Sequence, residues 1–182
     1  MPRIQPVAED STNTQATELL SGVKRKLGMV PNLISTMANS PAVTNAYLGF
    51  SQSLSTGSLP PRLREQIALT VGEANSCGYC VAAHTALGKK AGLSELETLD
   101  ARRVEPMDSK ERAALRLAQA IVRERGFVSD EDMRIVREAG YNDGEIAEIV
   151  ANVALNLFTN YFNHVAETEI DFPAVPVLSE NV

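Results

Sequence analysis

Both cysteines of this 182-residue chain stand together as Cys77-Gly78-Tyr79-Cys80, and His84 follows four residues after the second. On a helix opened by Cys77, positions 77, 80 and 84 share one stripe, so two sulfurs and an imidazole face a common space. The attacking species in thiol chemistry is the thiolate, and an ordinary cysteine, with a pKa of about 8.5, is mostly protonated at neutral pH. A helix N-terminus, a neighbouring imidazole and a second thiol acting as hydrogen-bond donor each lower that value. Cα atoms at i and i+3 of a helix lie about 5 Å apart, inside the roughly 4.4–6.8 Å a disulfide spans, so the pair can close and reopen without rebuilding the backbone. His84 at i+4 favours Cys80 as the attacking sulfur, whereas the helix N-terminus favours Cys77.

Two plainer readings compete with redox chemistry. Two thiolates and an imidazole make three of the four ligands of a structural zinc site, but His164 is the only other histidine and no second cysteine pair exists. Two buried, inert cysteines are the other alternative. His164 itself is a titratable pocket candidate, with a structural role near a helix end as its plain reading.

Composition narrows the classes. With 17 Lys and Arg against 23 Asp and Glu the net charge is −6, and no basic run offers a footprint for a nucleic-acid backbone. Residues Met1 to Asp10 are polar and proline-bearing, with nothing resembling a signal peptide. A cytoplasmic protein is expected, and there a Cys-x-x-Cys reads as catalytic or metal-binding rather than as a staple. The stretch Ile149–Val165 is free of charge and imitates a membrane span, yet it carries Asn152, Asn156, Asn160 and Asn163 at spacings of four, four and three. That stripe would be costly in lipid. It suits a central helix buried in the core, with Asn160 a candidate lining residue of the pocket, and no membrane partner is expected.

Apolar residues recur at helical spacing almost throughout and no alternating run argues for a strand, so the fold class is all-α. Helices are expected over 14–27, 31–39 and 41–55, the last opened by Pro41 and broken by Gly57-Ser58-Leu59-Pro60-Pro61. A further helix starts at Pro61 with Leu63, Ile67, Val71 and Ala74 on its core face, and Asn75 or Ser76 caps the dithiol helix, which stops at Gly92. A short helix follows near 94–102. Asp108 with Glu111, Ser129 with Asp132, and Asn142 with Glu145 then start helices over 108–125, 129–139 and 143–168. A thioredoxin-type site needs a strand leading into its Cys-x-x-Cys, and here Arg62–Glu73 reads as helix.

With the helices placed, the chain resembles the carboxymuconolactone decarboxylase-like superfamily, in its alkylhydroperoxidase D-like and peroxidase-related branch. The resemblance rests on Glu65, eleven residues, Cys77, two residues, Cys80, three residues, His84, most strongly over Leu59–Leu93. The segment from Thr159 to His164, followed by Asp171-Phe172-Pro173, is also similar to the longer peroxidase-related members. It implies one helical domain: an N-terminal extension over 1–58, a core over 59–170 and an extended tail over 171–182. It further implies a thiol-dependent hydroperoxide reductase in antioxidant defence, with Cys77 and Cys80 cycling between dithiol and disulfide, His84 as base and Glu65 holding it. Without the resemblance, Glu65 reads equally as an exposed helix acid, and Glu73 as a solvated one. Tyr79 stands where alkylhydroperoxidase D has a histidine, so the proton relay differs there. The implied partners are a hydroperoxide, a thiol or lipoyl reductant protein and further copies of the chain, as a trimer or hexamer; no cofactor and no metal is expected. The alternatives are a disulfide oxidoreductase or redox sensor acting on protein or lipoyl substrates, and a zinc-stapled helical interaction module.

Overall fold

Caps and breakers divide the chain into helices much as its sequence predicts. The computed structural model describes residues 1–8, 11–176 and 178; Asp10, and positions 177 and 179–182 of the expected tail, lie outside the described residues. Among the described residues there are nine helices and no strand: α1 (Thr14–Leu27), α2 (Asn32–Met37), α3 (Pro41–Ser55), α4 (Pro61–Ala74), α5 (Gly78–Lys90), α6 (Glu95–Arg103), α7 (Ser109–Arg123), α8 (Asp130–Glu138) and α9 (Asp143–Ala166). The fold is all-α. Reciprocal capping boxes open α6 at Ser94, α8 at Ser129 and α9 at Asn142. Asp108 caps α7 by accepting from the amides of Lys110 and Glu111.

Helix α4 is the axis of the molecule, packing against α5, α6, α7 and α9. Its Leu63, Ile67, Leu69 and Val71 join Leu115, Ile149 and Val153 in the main core. Ala74, expected on that face, is exposed because it sits on the last turn, where the chain leaves for α5. Gly72 permits the close crossing onto α5: a Cβ there would meet Val81 at 3.3 Å and the Cβ of Cys80 at 3.5 Å.

Three local expectations are corrected. Neither Asn75 nor Ser76 caps α5; Asn75 ends α4, Ser76 takes a left-handed turn with φ of 55°, and Cys77 itself occupies the N-cap position. Glu73 is not a free surface acid, because Arg102, whose side chain is only 4% exposed, donates to it from Nε at 2.7 Å. Helix α9 is only half core. It turns the asparagine stripe, Ile149 and Val153 inward, and leaves Val150, Phe158, Tyr161 and Val165 exposed on the opposite side. A hydrophobic stripe facing water on a helix whose polar residues face the interior reverses the usual arrangement.

Glu73→Gln therefore carries a stability cost of its own. Arg102 keeps its hydrogen bond to the carbonyl of Pro176 but loses its counter-charge. A charged hydrogen bond of this kind is worth about 1–2 kcal/mol, so a thermal melt should show Tm lower by about 2–8 °C, with thiol reactivity unchanged.

Candidate active site

The left-handed turn at Ser76 delivers Cys77 to the start of α5, and the amide of Cys77 donates to the carbonyl of Gly72 at 2.8 Å. One helical turn then places Cys80 beside it. Both cysteines are free and buried, and their sulfurs share a hydrogen bond at 2.7 Å. The pair is electrostatically unequal. Hydrogen bonding from the Cys80 thiol holds Cys77 below the ordinary thiol range against the opposing effect of burial, with the Cys80 amide, Asn163 and His84 helping. Cys80, the donor of that hydrogen bond, is pushed up by it, by burial and by the Cys77 charge. Of the two, Cys77 therefore holds its proton more weakly and Cys80 more tightly.

His84 stands one turn beyond Cys80, and its Nδ1 meets Glu65 Oε2 of α4 at 2.8 Å, both side chains being about one-fifth exposed. The four motif residues Glu65, Cys77, Cys80 and His84 are therefore gathered on the facing sides of α4 and α5.

Cys80 and His84, but not Cys77, line a cavity of about 940 Å³ walled by α1, α3 and α5. Its wall is mostly apolar, with Leu19, Leu48, Leu87 and Phe172 among the lining residues. Tyr47 of α3 also faces it and packs against the cluster that holds both cysteines. Burial, reinforced by the charges of Glu65 and Cys80, pushes the Tyr47 phenol up to about 12, so it stays protonated at neutral pH.

Tyr79 lines the same cavity, with its hydroxyl committed elsewhere. Its hydroxyl accepts from the amide of Leu33 at 3.1 Å, and its ring meets Phe172 edge-on at 5.7 Å. Burial, and then the Asp171 carboxylate, raise its pKa, so this phenol anchors α2 and the C-terminal segment to the dithiol loop. Asp171 also accepts from the amide of Asn32 at 2.8 Å. Asn160, expected to line the pocket, is instead fully buried beside Cys80 and is not among the cavity's lining residues. His164 is exposed on α9 and is not among the cavity's lining residues.

Two participants carry no motif signal. Asn163 donates from Nδ2 to Cys80 Sγ at 3.3 Å, and only the stripe on α9 pointed to it. Tyr47 lies in a segment that reads simply as apolar. No cluster of three or more His, Cys, Asp or Glu side chains with metal-holding geometry is present among the described residues.

Among curated proteins, none matches the chain. Solved structures do. A peroxidase-related protein from Ralstonia eutropha JMP134, described as an alkylhydroperoxidase AhpD core, superposes with a TM-score of 0.84 at 23% identity over 93% of this chain and 92% of its own. A peroxidase-related protein from Silicibacter sp. TM1040 follows with 0.80 at 24% identity, covering 92% of each chain. A debrominase solved in complex with 2,3,4-tribromopyrrole gives 0.79 at 23% identity, over 93% of this chain and 91% of that one. At such identity the likeness is one of fold. The sequence model of the carboxymuconolactone decarboxylase family matches residues 41–120, a stretch that runs from the start of α3 into α7 and contains Glu65, Cys77, Cys80 and His84. Over that stretch the chain is similar to the carboxymuconolactone decarboxylase family, and its fold is that of the AhpD-like peroxidase-related structures.

Proposed function

We propose that the protein is a thiol-dependent hydroperoxide reductase that works by a dithiol/disulfide cycle of Cys77 and Cys80. The observation that carries this reading is the hydrogen-bonded sulfur pair whose Cys80 opens on an apolar cavity, with His84, held by Glu65 from behind, in the same wall. As a hydroperoxide enters, Cys80 passes its proton to Cys77 and attacks the terminal peroxide oxygen. An S–O bond forms, the O–O bond breaks, and the departing alkoxide takes a proton from Tyr47 or from a protonated His84. Cys77 is deprotonated by His84 and attacks the Cys80 sulfenic acid; the S–S bond forms and the oxygen leaves as water. Two electrons pass from the dithiol to the peroxide. A thiol or lipoyl protein reduces the disulfide, and a reducing cytoplasm is the compartment that would recycle it.

A cavity this large and apolar gains nothing from hydrogen peroxide, so a bulky organic hydroperoxide such as cumene hydroperoxide should give a kcat/KM at least about tenfold higher, in keeping with the worth of a few buried methylene groups. Consumption of both peroxides with a panel of reductants tests the reading. No consumption with any reductant sinks it.

A second reading draws on the solved debrominase and on the same cavity, which suits a halogenated aromatic ring. There Cys80 would attack the halogen, the ring carbon would take a proton, and closure of the disulfide would release halide. Bromide release from a bromopyrrole without peroxide consumption would select it.

We also propose that the chain assembles with copies of itself, as a trimer or hexamer, through the outward stripe of α9. No helix among the described residues is long and apolar enough to cross a membrane, so that stripe is not a bilayer span. Light scattering at micromolar concentration should show an oligomer, and Phe158→Glu with Tyr161→Glu should dissociate it; a monomeric parent protein refutes the assembly.

A further inference from the structure

The four inward asparagines of α9 are not alike. Asn152 and Asn156 donate from Nδ2 to carbonyls one turn back, those of Glu148 and Asn152, each at 2.8 Å, and are satisfied within their own helix. Asn163 instead donates to Cys80 Sγ at 3.3 Å and leaves its buried Oδ1 without a partner. Asn160, with no exposed surface, accepts on Oδ1 from Asn75 Nδ2 at 2.9 Å, which fixes its amide and leaves its Nδ2 buried and unpaired beside the Cys80 sulfur. A buried donor beside the Cys80 thiol that makes no bond of ordinary geometry, and the buried acceptor of the amide that already bonds that thiol, are therefore both available. Buried polar groups are nearly always paired, and an idle one is a cost that the fold must carry.

We propose that Asn160 and Asn163 form an amide cradle for the oxygen that Cys80 acquires. A sulfenic acid, S–O–H, has one acceptor oxygen and one donor hydrogen. The oxygen can take the idle Nδ2 of Asn160 and the hydrogen the idle Oδ1 of Asn163, so oxidation of Cys80 fills both vacancies. Before oxidation the same amides bind the Cys80 thiolate more strongly than the thiol, since hydrogen bonds to an ionised acceptor are roughly twice as strong as neutral ones. The cradle draws negative charge onto Cys80 at the moment of attack and then holds the intermediate until Cys77 closes on it. Asn75 is the positioning residue that orients Asn160. This assignment rests on the dithiol chemistry proposed above, but not on peroxide being the oxidant. The other groups facing Cys80 are Cys77 on the dithiol loop, His84 on α5 with Glu65 of α4 behind it, and Tyr47 of α3. Of these only Cys77 is altered in the test, and it is altered identically in every protein compared.

The test uses full-length Cys77→Ser protein, in which Cys80 is the sole thiol, alone and combined with Asn163→Ala, Asn160→Ala or Asn75→Ala. Two quantities are read: the iodoacetamide alkylation rate of Cys80 from pH 5 to 11, and the lifetime of its sulfenic acid, formed with cumene hydroperoxide and trapped with dimedone. Asn163→Ala should raise the alkylation midpoint by about one unit, the scale of one lost charge-assisted hydrogen bond. Asn160→Ala should shorten the sulfenic acid lifetime at least about tenfold, and Asn75→Ala should shift both readouts the same way by less. Unchanged midpoints and lifetimes in folded variants, whatever their Tm, would make the two asparagines packing residues only. If Asn163→Ala or Asn160→Ala fails to fold, Asn75→Ala, which leaves the cradle's atoms in place, decides alone. If the parent forms no sulfenic acid with cumene hydroperoxide, the hydroperoxide reading falls, and with it the part of the cradle that holds oxygen; shifted midpoints then support only its hold on the thiolate, and unchanged ones overturn that too.

Discussion

Cys80→Ser and Cys77→Ser are each expected to abolish peroxide turnover, and dimedone trapping with mass spectrometry should find its adduct on Cys80 in the Cys77→Ser protein. Two features of the pair pull in opposite directions. Cys77 has the weaker hold on a proton, which by itself makes it the better resting nucleophile. Cys80 alone of the two lines the cavity, and it has His84 one turn away. Access decides the first step, because a thiolate that no substrate reaches cannot attack. The acidity of Cys77 then serves as a local base, accepting the Cys80 proton across the 2.7 Å sulfur contact. It follows that Cys77→Ser slows sulfenic acid formation as well as blocking its resolution, and raising the pH should recover the first effect but not the second. An adduct on Cys77 in the Cys80→Ser protein, with none on Cys80 in its counterpart, would reverse the roles.

Glu65→Gln should lower turnover by at least about tenfold with Tm nearly unchanged, since general-base assistance is worth about a hundred- to ten-thousand-fold and glutamine retains shape and one hydrogen bond. The carboxylate meets His84 Nδ1 at 2.8 Å, so it fixes the ring and leaves the other nitrogen for the cavity. Removing its charge destabilises a positive imidazole beside the thiolates, and the alkylation midpoint of the dithiol should rise with the loss of rate. Glu73→Gln is an unsuitable control because it breaks the pair with buried Arg102. Glu95→Gln, on an exposed acid paired with Lys89 at the surface, is the better one and should behave as the parent protein. Wild-type reactivity of Glu65→Gln across pH 5 to 9 would remove the relay from the mechanism.

The helices were legible because their ends are written in local chemistry. Thr14 to Leu27 and Pro41 to Ser55 start and stop where the sequence places them, and Ser129 and Asn142 cap as their spacing to Asp132 and Glu145 requires. The junction before the dithiol was misread because Asn75 and Ser76 are both good caps by type, while the choice between them is made by tertiary pairing: Asn75 is claimed by Asn160, 85 residues away. Glu73 was misread for the same kind of reason, its partner Arg102 lying 29 residues on. The spacing of Glu65, Cys77, Cys80 and His84 announced the site because it falls on two adjacent helices. Tyr47 and Asn163 come from α3 and α9, and which way each helix turns is a property of the packed whole. The composition of α9 suggested a buried apolar helix with a polar streak; only the fold reveals that the streak is its inner side.

The C-terminal segment has a kinetic consequence. Phe172 and Asp171 close over Tyr79, and Arg102 holds the carbonyl of Pro176, so the dithiol loop is roofed on that side and Cys77 has 1% of its surface open. In the proposed cycle the cavity at Cys80 is then the doorway that oxidant and reductant would share. The two cannot be present together, which dictates alternating visits: double-reciprocal plots at several reductant concentrations run parallel, and excess of either reactant inhibits by occupying the wrong half of the cycle. It also sets a shape for the reductant. A flat protein face cannot follow a hydroperoxide down to Cys80, whereas a thiol carried on a slender swinging arm can.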